Sequence, residues 1–414
     1  MRRREAGYAM PGGPAQSGRG CGRGASQASI GQAQSGRPTG RRRRFCPGAN
    51  VFPYWLLFSL FAAGAVQSSR GLDPVGRRSA VMLFIAALLP AAMIGFRYQT
   101  GADWQPYLFI YEEISYMDFG DMLAMDDPGY NVLNWVASAV GLQIWAVNLV
   151  CAGLFCWGLF KFANHQPNPW LALVVAVPYL MIVVAMGYTR QAVAIGLIMA
   201  SIVAWDRGQV VRFVAYIVIA ATFHKTAVLA LPLMALSAQR NRLVTAVGVL
   251  VFGFILYRSF LSESVDRMLV NYVESQYSSE GAAIRVAMNL VPAILYLLFQ
   301  RRFDIEENQR RMWRYFSIAT VGTVALLIVL PSSTAVDRIA LYLIPLQLFV
   351  FSRLPTVFPQ GTRPNGQLLV LVLAYSALIQ FVWLNYANHA EYWVPYKFWP
   401  FVEGAETAPN PDEL

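Results

Sequence analysis

The sequence predicts an all-α fold, a polytopic integral membrane helix bundle with about twelve transmembrane segments. Three observations predict it. The chain is 56% hydrophobic and only 14% charged, whereas soluble domains carry roughly 25% charged residues. Its apolar residues gather into long runs, among them Val81–Ile94, Leu171–Met186, Leu243–Tyr257, Ile318–Leu330 and Leu368–Leu384. Backbone amides in lipid need partners within their own segment, so such runs must be helices, and they lack the alternation of a strand barrel. Finally, cations and acids separate into alternate loops, as the positive-inside rule requires.

In chain order, residues 1–49 form a tract of Gly, Arg, Ser, Gln and Pro that cannot bury enough apolar surface to fold and is expected to be disordered. Residues 50–400 form the membrane domain, and 401–414 a short polar tail. The expected spans are 51–67, 80–96, 140–160, 170–187, 191–205, 211–223, 226–237, 243–260, 283–299, 315–331, 338–352 and 367–386. Those at 191–205, 211–223 and 226–237 are short for a full crossing. One set of alternate loops holds Arg70, Arg77, Arg78, Lys161, Arg207, Arg212, Arg240, Arg242, Arg301, Arg302, Arg310, Arg311, Arg314, Arg353 and Arg363, and is expected to be cytoplasmic. The opposite set is acidic, with Asp103, Glu112, Glu113, Asp118, Asp121, Asp126 and Asp127 and then Glu263, Asp266, Glu274 and Glu280. An even number of spans then puts both termini outside, while ten arginines between Arg2 and Arg44 argue for an N-terminus held inside. A translation start near Val51 removes that conflict.

The net charge of +10 is explained by this tract and by the helix ends, without a nucleic-acid partner. Cys151 and Cys156 sit inside an apolar run as packing residues, and no disulfide or zinc spacing occurs. The sequence contains no phosphate-binding Gly-x-x-x-x-Gly-Lys loop, no His-Glu-x-x-His and no Gly-x-Ser-x-Gly, which argues against ATP-driven transport by this chain and against zinc-protease or hydrolase chemistry.

Four polar clusters interrupt the apolar pattern at helix ends on the predicted outer face. A charge at the centre of a membrane helix costs about 2.5–3.5 kcal/mol, so such residues are functional candidates. The first cluster is Arg97 to Asp103; Arg97 alone could simply snorkel to headgroups. The second is Gly187-Tyr188-Thr189-Arg190-Gln191, where a guanidinium in a very short turn suits a phosphate group. The third is Thr222-Phe223-His224-Lys225-Thr226; the imidazole, with an ordinary pKa of about 6.5, suits general base chemistry. The fourth is Asp337-Arg338, which also reads as a local ion pair at a helix start. Asp126-Asp127 offers oxygen ligands for a hard cation, but Asp127-Pro128-Gly129 is more simply a turn into a helix. No metal site and no cofactor is expected. The aromatic segment from Tyr392 to Trp399 suits an interfacial belt.

Together these pieces resemble the EpsG family, a branch of the Wzy-type polysaccharide polymerases. The resemblance rests on Arg97–Asp103 with Tyr107, on Asp127-Pro128-Gly129-Tyr130, on Arg190-Gln191 with Ala194, and on Phe223-His224-Lys225-Thr226-Ala227 leading to Pro232. Arg338 with Tyr342, and Pro395-Tyr396-Lys397, complete it. The order and spacing match from about residue 51 to 400. The Arg-rich first 49 residues have no counterpart.

The resemblance implies a glycosyltransferase of the bacterial cytoplasmic (inner) membrane. Such an enzyme moves a growing glycan from undecaprenyl pyrophosphate onto a hydroxyl of the next lipid-linked repeat unit, building a capsule, exopolysaccharide or O-antigen. The expected partners are the undecaprenyl-pyrophosphate-linked oligosaccharide, membrane lipids, and a chain-length regulator and flippase acting in the same process. Arg97, Arg190, Gln191, Lys225 and Arg338 are candidates to bind pyrophosphate and glycan. Fixed cations there would stabilise the leaving group. His224 or Asp103 would accept the proton of the attacking hydroxyl, with His224 preferred. Two other readings compete. A lipid-linked oligosaccharide flippase would want its cations near mid-bilayer. A membrane glycosyltransferase that adds one sugar from a lipid-phosphate donor would want an acid in the first outer loop, such as Asp103 or Glu112-Glu113.

Overall fold

Uninterrupted apolar runs must pair their amides internally, and the chain does so with helices throughout. The computed structural model describes residues 51–69, 77–235, 281–329 and 333–402. The expected tract 1–49, the span 243–260 and residues 403–414 of the tail lie outside these. Among the described residues there is no strand, only two isolated bridges, Arg97 with Phe398 and Gln360 with Arg363.

The helices in order are α1 (Phe52–Ser69), α2 (Arg77–Gly95), α3 (Trp104–Ser115), α4 (Phe119–Leu123), α5 (Pro128–Ala139) and α6 (Ile144–Ala163). Then come α7 (Pro169–Gly187), α8 (Thr189–Asp206), α9 (Val210–Phe223) and the short α10 (Ala230–Ala235). The rest are α11 (Ala282–Phe299), α12 (Glu307–Val329), α13 (Ser333–Leu341), α14 (Pro345–Val357) and α15 (Gly366–Tyr386). Proline opens α5, α7 and α14, where its missing N–H costs nothing. Asn168 caps α7 by accepting the Leu171 amide at 3.0 Å and donates to the Ala65 carbonyl, which ties the start of α7 to the end of α1.

Five helical segments are long and apolar enough to cross a membrane: Ile144–Ala163, Pro169–Gly187, Ala282–Arg302, Glu307–Val329 and Gly366–Tyr386. They fall on the expected spans 140–160, 170–187, 283–299, 315–331 and 367–386. The chain is a membrane protein. The expected count of about twelve is not confirmed: the span 243–260 lies outside the described residues, and four of the others are short or broken. Val81–Gly95 and Val210–Phe223 are apolar but short. The run 226–237 breaks into a 3₁₀ turn, Lys225–Leu229, and the short α10. The run 338–352 is divided between α13 and α14. The spans also differ in where their apolar surface goes. The α7 span is entirely buried, whereas α11, α12 and α15 are about one third buried and turn most of their apolar surface outward.

Helices α6 and α8 run parallel, with α7 returning between them. At one end Asn148 of α6 and Thr189 of α8 share the Arg97 guanidinium. At the other, His165 just past α6 meets Asp206 at the end of α8, at 3.4 Å. Midway the backbones touch: a Cβ on Gly158 would lie 2.0 Å from the Gly196 carbonyl oxygen. Small residues allow such an approach, which supplies the dispersion contacts that hold membrane helices together. An aromatic stack, Trp313 on Phe349 at 4.2 Å and Phe349 on Phe303 at 5.8 Å, joins α12, α14 and the α11–α12 turn. At 1.5 Å per residue, α8 separates the two ends of this core by about 27 Å.

Candidate functional site

All four polar clusters lie at one end of the core, where α8 begins and α9 finishes. The first is the turn between α2 and α3. Arg97 is 1% exposed, and its guanidinium donates to the Ile94 carbonyl (2.7 Å), Asn148 Oδ1 (3.1 Å) and Thr189 Oγ1 (2.7 Å). It therefore braces the start of α8. Gly101 has φ +103°, and a Cβ there would sit 2.2 Å from the Met186 carbonyl oxygen, so the turn needs glycine at this position. The turn is held from outside by the C-terminal segment. Tyr98 N–H donates to the Lys397 carbonyl, Gly101 N–H to the Tyr392 carbonyl, and Trp399 N–H to the Phe96 carbonyl. Trp393 Nε1 reaches the Ile182 carbonyl, and Tyr396 the Met93 carbonyl, each at 2.8 Å. The aromatic segment read as an interfacial belt thus spends these polar groups on the protein.

The second and third clusters meet through Asp127. Its backbone is left-handed (φ 58°), a region that Asp enters more readily than most residues. The expected turn into α5 is present, but the side chain does not cap that helix. One carboxylate oxygen accepts from Arg190 Nη1 at 2.8 Å, and the other from the Lys225 amide at 3.2 Å. Asp126 accepts from Lys225 Nζ at 3.0 Å. The two acids that suggested a metal site are thus engaged with the cations of two other clusters. Among the described residues no group of three His, Cys, Asp or Glu side chains could hold a metal ion. Tyr107 and Tyr130 flank the Arg190 guanidinium at 5.7 and 5.9 Å.

His224 caps the end of α9, and its Nδ1 lies 2.7 Å from Thr226 Oγ1 and 3.0 Å from the Tyr342 hydroxyl. Burial, with Arg190, Arg338 and Lys225 nearby, pushes its pKa down to about 3. The ring is therefore neutral at pH 7. When the hydroxyls donate to Nδ1, the ring proton lies on Nε2.

The fourth cluster closes the site from α13. Gln191 Nε2 donates to the Arg338 carbonyl at 2.7 Å. The Arg338 guanidinium lies 5.4 Å from the centre of the Tyr188 ring and has no carboxylate within ion-pairing distance among the described residues. The local Asp337–Arg338 pair read from sequence does not form. Asp337 instead receives two bonds from Arg285 of α11, at 2.6 and 2.8 Å. Asp103, at the start of α3, likewise has no ion pair among the described residues. Burial raises its carboxyl above the ordinary aspartate range, while Arg338 and Arg190 partly offset this.

The site thus gathers Asp103, Arg190, Gln191, His224, Lys225 and Arg338 at one end, and sets Arg97 behind them as a buried brace. Sequence reasoning passed over Asn148 and Arg285; it named Thr226 and Tyr342 only within the motifs of the resemblance, and Asp127 there and as one of two acids for a hard cation, without giving any of the three a part in the site.

Residues 80–398 match the EpsG family. The chain belongs to the EpsG family. The match covers over three quarters of the sequence and includes every residue of the four clusters. No curated protein and no solved structure matches the chain. The family suggests a polysaccharide-polymerase-like function for this EpsG member.

Proposed function

We propose that this EpsG protein is a polysaccharide polymerase. It transfers glycan from undecaprenyl pyrophosphate to a hydroxyl of an incoming lipid-linked repeat unit, at the outer face of the bacterial cytoplasmic membrane. The observation that carries the reading is the opposition of Asp103 and Arg338. One is a carboxylate with a raised pKa, the other a guanidinium with no carboxylate pair among the described residues, and they sit close enough for their charges to interact. In the reaction the acceptor oxygen bonds to the anomeric carbon as the bond from that carbon to the pyrophosphate oxygen breaks. The acceptor proton goes to Asp103, and the pyrophosphate leaves with the bonding electron pair. Arg338, supported by Arg190 and Lys225, meets the negative charge as it grows on the leaving oxygen.

Asp103 is the better base of the two candidates. Burial and three neighbouring cations oppose a proton on His224, whereas burial raises the proton affinity of the Asp103 carboxylate. A base of higher pKa accepts a proton more readily. His224 then serves as a hydrogen-bond donor through Nε2, and Arg97 positions the start of α8. The location of the cations at one end of the core, not its middle, favours a polymerase over a flippase. The single-sugar transferase shares the Asp103 chemistry and differs in product length.

The test is Arg338→Ala in the native strain, with surface and lipid-linked glycans resolved by length. The expected result is collapse of the ladder to single repeat units displayed outside, at normal levels of inserted protein. Repeat units trapped inside would favour the flippase. A shortened repeat unit would favour the single-sugar transferase, and an unchanged ladder would remove Arg338 from the reaction.

A further inference from the structure

A lateral groove of about 400 Å³ runs between α11 and α15. Its walls are apolar, with Ile284 and Met288 on one side and Leu378 and Val382 on the other. Ile284 and Leu378 are 66% and 59% exposed. Both helices are among the five fit to cross a membrane, and both turn most of their surface outward, so the groove opens sideways to lipid. It also has a polar part, where Arg285, Asn388 and His389 line it beside Tyr179.

This polar part connects to the site already described. Arg285 lines the groove and at the same time binds Asp337 with two bonds, and Arg338 follows directly in α13. Arg285 and Asp337 act electrostatically on both Tyr179 in the groove and Tyr188 beneath the Arg338 guanidinium. Two arginines, Arg285 and Arg338, stand where groove and site join, with Asp337 and Asp103 as their acidic neighbours. An apolar slot that opens to the bilayer and closes on cations suits a hydrocarbon tail with an anionic head.

We infer that this groove holds the polyprenyl chain of a lipid-linked pyrophosphate substrate and delivers its headgroup past Arg285 to Arg338. The inference rests on the lipid-linked substrate proposed above and adds the place where its tail binds. Moving methylene groups from the apolar bilayer into the apolar slot between α11 and α15 changes their surroundings little. Selectivity for this lipid must then come from the charged end.

The test uses the full chain in phosphatidylcholine nanodiscs with a sugar-free polyprenyl pyrophosphate that bears a benzophenone on its tail. After illumination, labelled peptides are mapped by mass spectrometry. Label should fall on α11 and α15 and be competed by untagged polyprenyl pyrophosphate but not by phosphatidylglycerol. Leu378→Trp and Ile284→Trp, which fill the slot from opposite walls at exposed positions, should each lower groove labelling about tenfold. Competable label confined to other helices would overturn the groove and leave the polymerase reading standing. Equal competition by phosphatidylglycerol would make the groove an ordinary lipid slot and overturn the inference. No competable label anywhere would overturn both the inference and the lipid-linked substrate.

Discussion

The two ends of the α6–α8 core are both rich in cations, yet they treat them differently. At the far end, Arg310 and Arg311 reach Glu307 three and four residues away, within one helix. At the site end, Arg190 meets Asp127 across 63 residues, and Lys225 meets Asp126 across 99. The far-end pairs are partly exposed, and pairs of that kind contribute at most about 1 kcal/mol. The site-end Asp127 is nearly buried and joins three segments. A count of charges would rank the far end higher. What distinguishes the site is that its ion pairs all join distant segments, whereas the far end mixes pairs within one helix with the contact of His165 and Asp206, and that two of its charged groups, Asp103 and Arg338, lie outside those ion pairs.

The sharpest way to break this contrast is at Asp103. Asp103→Asn removes the proposed base without changing shape, and polymerisation should fall on the order of a hundredfold to ten-thousandfold. In the unaltered protein, rate should be lost as pH falls through the Asp103 pKa, which burial places above the ordinary value of about 3.9. The sign follows from the role: the base works only when deprotonated, so activity is present above that pKa and disappears below it. A pH–rate profile on membranes with lipid-linked substrate checks both statements.

Asp127→Ala should come next. It leaves Arg190 and the Lys225 amide without their carboxylate, and breaking a buried pair costs about 3–5 kcal/mol. Polymer length and inserted protein should both drop, read by glycan gels beside immunoblots. His224→Gln should have a smaller effect, roughly tenfold on rate, because a hydrogen-bond donor is replaced and the base is kept. The acid limb of the pH profile should stay where it was; its disappearance would return the base role to His224. Smallest of all is Glu307→Ala at the far end. It removes a partly exposed partner of Arg310 and Arg311 and should change stability by less than about 1 kcal/mol, measured by thermal unfolding in detergent.

Much of this contrast was legible in the sequence, because hydropathy and the alternation of loop charge are local quantities. The long apolar runs 140–160 and 170–187 became α6 and α7, and the polar clusters stood out as interruptions. What stayed hidden depends on packing. The run 226–237 has the composition of a span, but its start folds as a 3₁₀ turn beside His224. Arg285 lies near the start of α11, and only the fold brings it to Asp337. The same holds for the aromatic segment from Tyr392 to Trp399. Composition places such residues at an interface, but hydrogen-bond partners such as Ile182 and Met93 lie hundreds of residues away along the chain.

That last segment also has a consequence for biosynthesis. Tyr98 and Gly101, near the start of the membrane domain, take their backbone partners from Lys397 and Tyr392. A ribosome makes the two halves of this clasp far apart in time, and every described helix from α3 to α15 is synthesised between them. The Arg97 turn therefore waits, unfastened, until the end of synthesis. An unfinished chain stalled in the translocon would carry most of its helices but lack the clasp, and so would not present a finished site to substrate.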